Sequence, residues 1–169
     1  MNELDLQDKY LINFLCTQPD GLLYKEVKAN TVSRQFLIVE DLKHFISETS
    51  LNKDNYRKLL RKFDSEKKLL DAFMEFINVR IKSSMNMAIF INGNKTVTFE
   101  GVTLYLFYPS GSEFKEDQLF NENIFSVVQE LPYTFRHEGK QLYSFRPDLS
   151  FFLNGIYLGY SELKSKYNI

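Results

Sequence analysis

The chain has 169 residues, 44% of them hydrophobic and 25% charged, which suits one globular domain with a real core and argues against disorder. A net charge of -1 gives no overall basic bias, so any nucleic acid must be held by a local patch or by another domain. A single cysteine precludes an internal disulfide, the acidic start lacks a secretory n-region, and no apolar run reaches the roughly 18 residues of a membrane span. We therefore expect a cytoplasmic protein without a membrane partner.

Residues 3–17 read as a helix with Leu4, Leu11 and Leu15 on one face, and Asp8 falls among them. Cys16 sits beside Leu11, Phe14 and Leu15, a setting for a small buried hydrophobe rather than a catalytic thiol. Pro19-Asp20-Gly21 ends the helix, and residues 21–28 form a short extended piece. Three helical patterns follow: 39–48 on Val39, Leu42, Phe45 and Ile46; 53–63 on Tyr56, Leu59, Leu60 and Phe63; and 66–82 on Leu70, Phe73, Ile77 and Ile81. Ser65 is placed to cap the last of these, with Glu66 complementing the helix dipole.

The period then changes to two. Met87, Ile89 and Ile91, an Asn92-Gly93 turn, Val97 and Phe99, then Val102, Leu104 and Leu106 predict an antiparallel meander. Residues 109–123 read as a loop with a helical turn, and Ile124, Phe125, Val127 and Val128 as a strand. Residues 133–136 and 142–145 flank a turn at Glu138-Gly139, and a hairpin around Asn154-Gly155 closes the chain. Helices first and sheet second give a single α/β (α+β) domain over residues 1–169.

That last hairpin carries Asp148, Glu162 and Lys164 in otherwise apolar strands, where an unpaired charge costs several kcal/mol. Glu162 and Lys164, two apart, project from one face. Whether Asp148 joins them depends on register. An unbulged two-residue loop pairs Asp148 with Ser161 and leaves Glu162 on the opposite face. A three-residue loop pairs Asp148 with Tyr160, with Glu162 as its diagonal neighbour on the same side. Convergence therefore requires a bulge, in the turn or further along at Gly159. The alternative is a turn residue after Pro147 and a solvated, charged sheet edge.

Arg146-Pro147-Asp148, thirteen residues, then Glu162-Leu163-Lys164 resembles the Pro-Asp…Asp/Glu-x-Lys motif of restriction-endonuclease-like nucleases. More narrowly, FFLNGIYLGYSELK is similar to the N-terminal nuclease domain of type I restriction enzyme R subunits. The resemblance implies a mixed sheet flanked by helices, with a helical insert after the first helix. It implies a Mg²⁺-dependent endonuclease domain that hydrolyses phosphodiester bonds in DNA. Asp148 and Glu162, with the Leu163 carbonyl, would hold the ion, and Lys164 would orient the attacking water and stabilise the developing charge. Asp8 is the candidate first-helix ligand, although the family more often has Glu there; a core-edge acid capped by a neighbour is the alternative.

Relatives also carry a Gln-x-x-x-Tyr helix soon after Glu-x-Lys, whereas this sequence runs only five residues past Lys164. We therefore expect a fragment of a larger R subunit or a domain incomplete as an enzyme. The full subunit of such systems is an ATP-driven translocase on double-stranded DNA that works with methylation and specificity subunits. No Gly-x-x-x-x-Gly-Lys-Ser/Thr loop occurs here, so ATP is implied for the parent protein only. Residues 53–68 offer the best DNA contacts, with Arg57, Lys58, Arg61 and Lys62 able to track phosphates and Arg57 and Arg61 sharing a helix face; a merely solvated surface is the alternative. His44 and His137 fit no pattern for a metal site or a triad. The reading from a different class is a noncatalytic nucleic-acid or protein-docking module that keeps the nuclease fold.

Overall fold

The computed structural model describes residues 11–17, 23–83, 95–111, 114–137 and 140–163. Helix α1 (Asn13–Cys16) buries Leu15, and Ile12 just before it, against Val127 and Leu149. Its predicted start, Asp8 included, lies outside the described residues. The short extended piece is strand β1 (Lys25–Val27).

The three helical patterns form α2 (Val39–Glu48), α3 (Lys53–Leu60) and α4 (Glu66–Ser83). Helix α3 stops at Leu60 rather than at residue 63, because Lys62 N–H donates to the Leu59 carbonyl and Phe63 N–H to the Leu60 carbonyl, a tighter three-residue turn. Ser65 caps α4 as expected, its Oγ accepting from Lys68 N–H at 3.3 Å. Strands β2 (Thr96–Phe99) and β3 (Val102–Tyr105) pair antiparallel; the rest of the predicted meander, Met87 to Gly93, lies outside the described residues. Where one helical turn is predicted, α5 (Phe114–Phe120) makes a seven-residue helix. The chain then runs through β4 (Phe125–Gln129), β5 (Tyr133–His137), β6 (Lys140–Phe145), β7 (Leu149–Leu153) and β8 (Ile156–Ser161).

Strands β1, β4, β7 and β8 form a mixed sheet in that order, β1 parallel to β4 and the other pairs antiparallel; β5 and β6 make a separate hairpin. Alternation gives the sheet two faces. Val127, Leu149 and Phe151 pack with α1 on one. On the other, Val128 and Phe152 pack with Ile38, the residue that leads into α2. The sheet is therefore flanked by helices, and the helical insert follows the first helix.

The insert has its own core. Leu42, Phe45 and Ile46 of α2, Leu59 of α3, Phe73 and Ile77 of α4 and Leu104 of β3 are buried together, each such side chain contributing about 1.5–3 kcal/mol. Asn52 ties the helices to the β2–β3 hairpin, donating from Nδ2 to the Tyr105 carbonyl at 3.0 Å and accepting from Tyr105 N–H at 2.8 Å. Among the described residues no helix is long and apolar enough to cross a membrane.

Candidate active site

The β7–β8 hairpin turns through two residues, Asn154 and Gly155, both at positive φ (51° and 79°), which is the tight turn an Asn-Gly pair favours. Gly155 admits no side chain, since a Cβ there would lie 2.3 Å from the Ile38 carbonyl oxygen. Asn154 is fully buried, and its side chain holds three neighbours: Nδ2 donates to the Leu106 carbonyl at 2.9 Å and to Asn123 Oδ1 at 3.0 Å, and Oδ1 accepts from Ile124 N–H at 2.7 Å. The turn is thus a junction between the sheet, α2 and the insert.

Two residues beyond the turn the register shifts. Phe152 pairs with Tyr157 but Phe151 pairs with Gly159, so Leu158 is an extra residue in β8. Of the two predicted positions for a bulge, the structure uses the one beside Gly159 and not the turn. The three-residue loop, with Asp148 facing Tyr160, does not form. Beyond the bulge Leu149 pairs with Ser161, where both strands end; the same register continued by one step would bring Glu162 opposite Asp148.

Asp148 is half-buried and Glu162 exposed. The Asp148 backbone is fixed by Glu130 N–H, which donates to its carbonyl at 3.0 Å, and its Oδ2 accepts from Leu163 N–H at 2.5 Å. One carboxylate therefore bridges the two strand ends, beside the residue whose carbonyl the resemblance assigns to the ion. Arg146 and Glu130 form an exposed pair at 3.5 Å alongside. Lys164 and Asp8 lie outside the described residues. Among the described residues no group of three or more His, Cys, Asp or Glu is poised to hold a metal.

The basic candidates sit elsewhere in the fold, on α3 and just after it, where α3 packs chiefly on α2, α4 and β3. All four are exposed, and three are engaged locally. Arg57 pairs with Asp54 at 3.1 Å, Lys58 donates to Asn55 Oδ1 at 2.9 Å, and Lys62 donates to the Glu100 carbonyl at 2.5 Å. Arg61 follows the last helical residue, so it shares a face with Arg57 only through the terminal turn. Cys16 is half-buried, and burial, with Glu26 nearby, raises its thiol above the ordinary range, as suits a packing residue.

Two features escaped the sequence pattern. Asp41 is buried on α2, where it accepts from Lys25 Nζ of β1 and from Ser126 Oγ of β4, the latter at 2.6 Å, and so pins the helix to the sheet. An aromatic cleft also opens beside Pro147 and Ser150.

A mixed four-stranded sheet flanked by helices defines the class as α+β. The type I restriction enzyme R protein N-terminus family (HSDR_N) matches residues 22–168, and the chain belongs to that family. No curated protein and no solved structure matches it significantly.

Proposed function

We propose that this chain is the Mg²⁺-dependent endonuclease domain of a type I restriction enzyme R subunit, hydrolysing phosphodiester bonds in double-stranded DNA. The single observation that supports the reading most is the bulge in β8, because the register it leaves at Leu149 and Ser161 would, continued by one step, bring Glu162 opposite Asp148. Two carboxylates on neighbouring strands suit Mg²⁺, which takes one or two acids and keeps several waters. When bound, the ion would acidify an attacking water and offset charge on the phosphate.

The chain's own residues have separate tasks. Leu163 N–H orients the Asp148 carboxylate, which would otherwise sample several rotamers. Glu162 supplies the second anionic oxygen set. Lys164, two positions on, would share its side of the strand, hold the water and donate to the phosphate oxygen as negative charge builds there. Asp8 would complete the ligand set from the first helix. Arg57, Lys58, Arg61 and Lys62 would hold the duplex by its phosphates, an interaction that weakens with salt. The ATP-driven motor and the methylation and specificity subunits belong to the same proposal, as properties of the parent enzyme.

Calorimetric titration with Mn²⁺ or Mg²⁺, paired with a DNA cleavage assay, tests the reading. Asp148→Ala should abolish both metal binding and cleavage, whereas Lys164→Ala should abolish cleavage with metal still bound. Metal binding or cleavage undiminished by Asp148→Ala would overturn the assignment, and an intact chain that binds no metal would favour a docking module.

A further inference from the structure

A cleft of about 570 Å³ opens over the β7–β8 hairpin, within the range of roughly 300–1,000 Å³ typical of small-ligand sites. Ser150 of β7 and Tyr157 and Tyr160 of β8 share one face of the sheet there, and Phe36 and the β5–β6 hairpin enclose them. The enclosing rings already hold one another. Phe36 lies against Tyr133 with centroids 5.0 Å apart and edge-on to Tyr157 at 6.1 Å, Tyr133 meets Tyr143 at 6.4 Å, and Phe145 stands edge-on to Tyr160 at 4.9 Å. With each ring braced by another, the cleft is preformed rather than assembled by a ligand.

Phe36 shows that the fold keeps this wall at a cost. It sits at φ 59°, a left-handed conformation that a bulky side chain resists. Ser33 holds it there: its N–H donates to the Leu37 carbonyl at 2.8 Å, and its Oγ accepts from Leu37 N–H at 3.1 Å.

The incomplete group is polar. Among the described residues one buried side-chain polar atom has no hydrogen-bond partner, and it is Ser150 Oγ, in the lining of this cleft. A hydroxyl taken from water and left unpaired is unfavourable, and a ligand atom that pairs with it removes that penalty.

The lining sets the chemical class of that ligand. None of the described residues around the cleft is charged, and burial, with Tyr160 and Tyr133 nearby, pushes the Tyr157 phenol up to about 12, so it too is neutral at pH 7. A charged ligand would lose its hydration and meet no counter-ion in the lining. A flexible aliphatic chain would lose conformational freedom against rigid rings, whereas a planar ring packs on them edge-on or offset. A polypeptide would bring main-chain N–H and C=O groups to a lining that has a single unpaired partner for them.

We propose that this cleft binds a small uncharged aromatic molecule, of one or two rings, whose hydrogen-bonding group pairs with Ser150 Oγ. The site is separate from phosphodiester chemistry and needs neither the acids nor a metal ion.

Amide NMR titration of the intact chain tests this with 2-naphthol, with naphthalene as the analogue lacking the hydroxyl and 2-naphthoate as the charged one. 2-Naphthol should shift the Leu131, Ser150 and Tyr157 amides saturably and bind about 5- to 50-fold more tightly than either analogue. Ser150→Ala should leave 2-naphthol and naphthalene equal within about twofold. Because it deletes a hydroxyl that bonds to nothing, Ser150→Ala should also keep or raise the melting temperature. Four results would overturn the proposal: no saturable shift at these amides, equal binding of 2-naphthol and naphthalene by the wild-type chain, a hydroxyl advantage that survives Ser150→Ala, or a lowered melting temperature that reveals an existing partner for Oγ. Tighter binding of N-acetyltyrosine amide than of 2-naphthol would overturn it in favour of a side chain from a partner polypeptide.

Discussion

Asn154 offers the sharpest test of how the acids are held. Its side chain makes three hydrogen bonds, a buried one to the Leu106 carbonyl and part-buried ones to Asn123 Oδ1 and from Ile124 N–H. At about 1 kcal/mol each these total about 3 kcal/mol, and the desolvated groups left unpaired raise the loss toward 5 kcal/mol. The residue also sits at φ 51°, a conformation Asn tolerates and Ala resists by about 1 kcal/mol or more. Asn154→Gly should therefore cost roughly 3–5 kcal/mol and Asn154→Ala about 1 kcal/mol more. Against a whole-domain stability of about 5–15 kcal/mol, either change is severe. At about 2–4 °C per kcal/mol the melting temperature should fall by roughly 6–20 °C. Urea unfolding at pH 7 with an unchanged m-value is the appropriate measurement. A loss below about 1 kcal/mol in Asn154→Gly would refute the junction role, because turn geometry alone asks no more of that position than glycine supplies.

The same junction predicts that Gly155→Ala is worse tolerated than an ordinary turn substitution: its Cβ would press on Ile38 backbone at 2.3 Å, and a melting point within a few degrees of wild type would contradict this. Lys25→Met should cost about 3 kcal/mol in urea unfolding by leaving the buried Asp41 carboxylate with only Ser126, and adding Asp41→Asn should recover part of that loss; a double variant no better than the single would refute the ion-pair account. Glu66 accepts from Lys43 at 2.8 Å and from Tyr56 at 2.9 Å, and these bonds hold its carboxyl below the usual range. A depressed folded value means its contribution is present above an unfolded value of about 4.3 and is lost as pH falls through the lower folded value. Glu66→Gln should accordingly flatten stability against pH below about pH 5 and leave the slope between pH 7 and 8 unchanged, as denaturant midpoints would report.

The helices of the insert were legible because each carries a largely apolar stripe, and Phe45, Leu59 and Phe73 are all buried as that stripe requires. Asp41 was legible too, in principle. It stands four residues before Phe45 on the stripe, the same anomaly that singled out Asp8, and its burial with Lys25 and Ser126 shows what such an acid does. Register was only half legible. Asn154-Gly155 specified the tight turn, but nothing local marked Leu158 as the extra residue. Gly159 has open space around its missing Cβ and an ordinary φ, so glycine chemistry does not explain the irregularity. The aromatic cleft was hidden for a different reason: its rings come from three distant segments, and only tertiary packing brings them together.

The bulge decides which face the end of β8 presents. Before it, Tyr157 pairs with Phe152 and shares that residue's face; without it, simple alternation would send Tyr160 to the opposite face. With Leu158 inserted, Tyr160 pairs with Ser150 on the face of Phe152, and the next residue of that parity is Glu162, which a continued register would bring opposite Asp148. One extra residue therefore gives Tyr160 the face of the cleft and Glu162 the parity of the proposed site at once. Deleting Leu158 should undo both together, since every side chain beyond it changes face. Metal binding undiminished by the deletion would mean that strand register is not what brings Glu162 to Asp148, and the bulge would then carry no part of the proposed site.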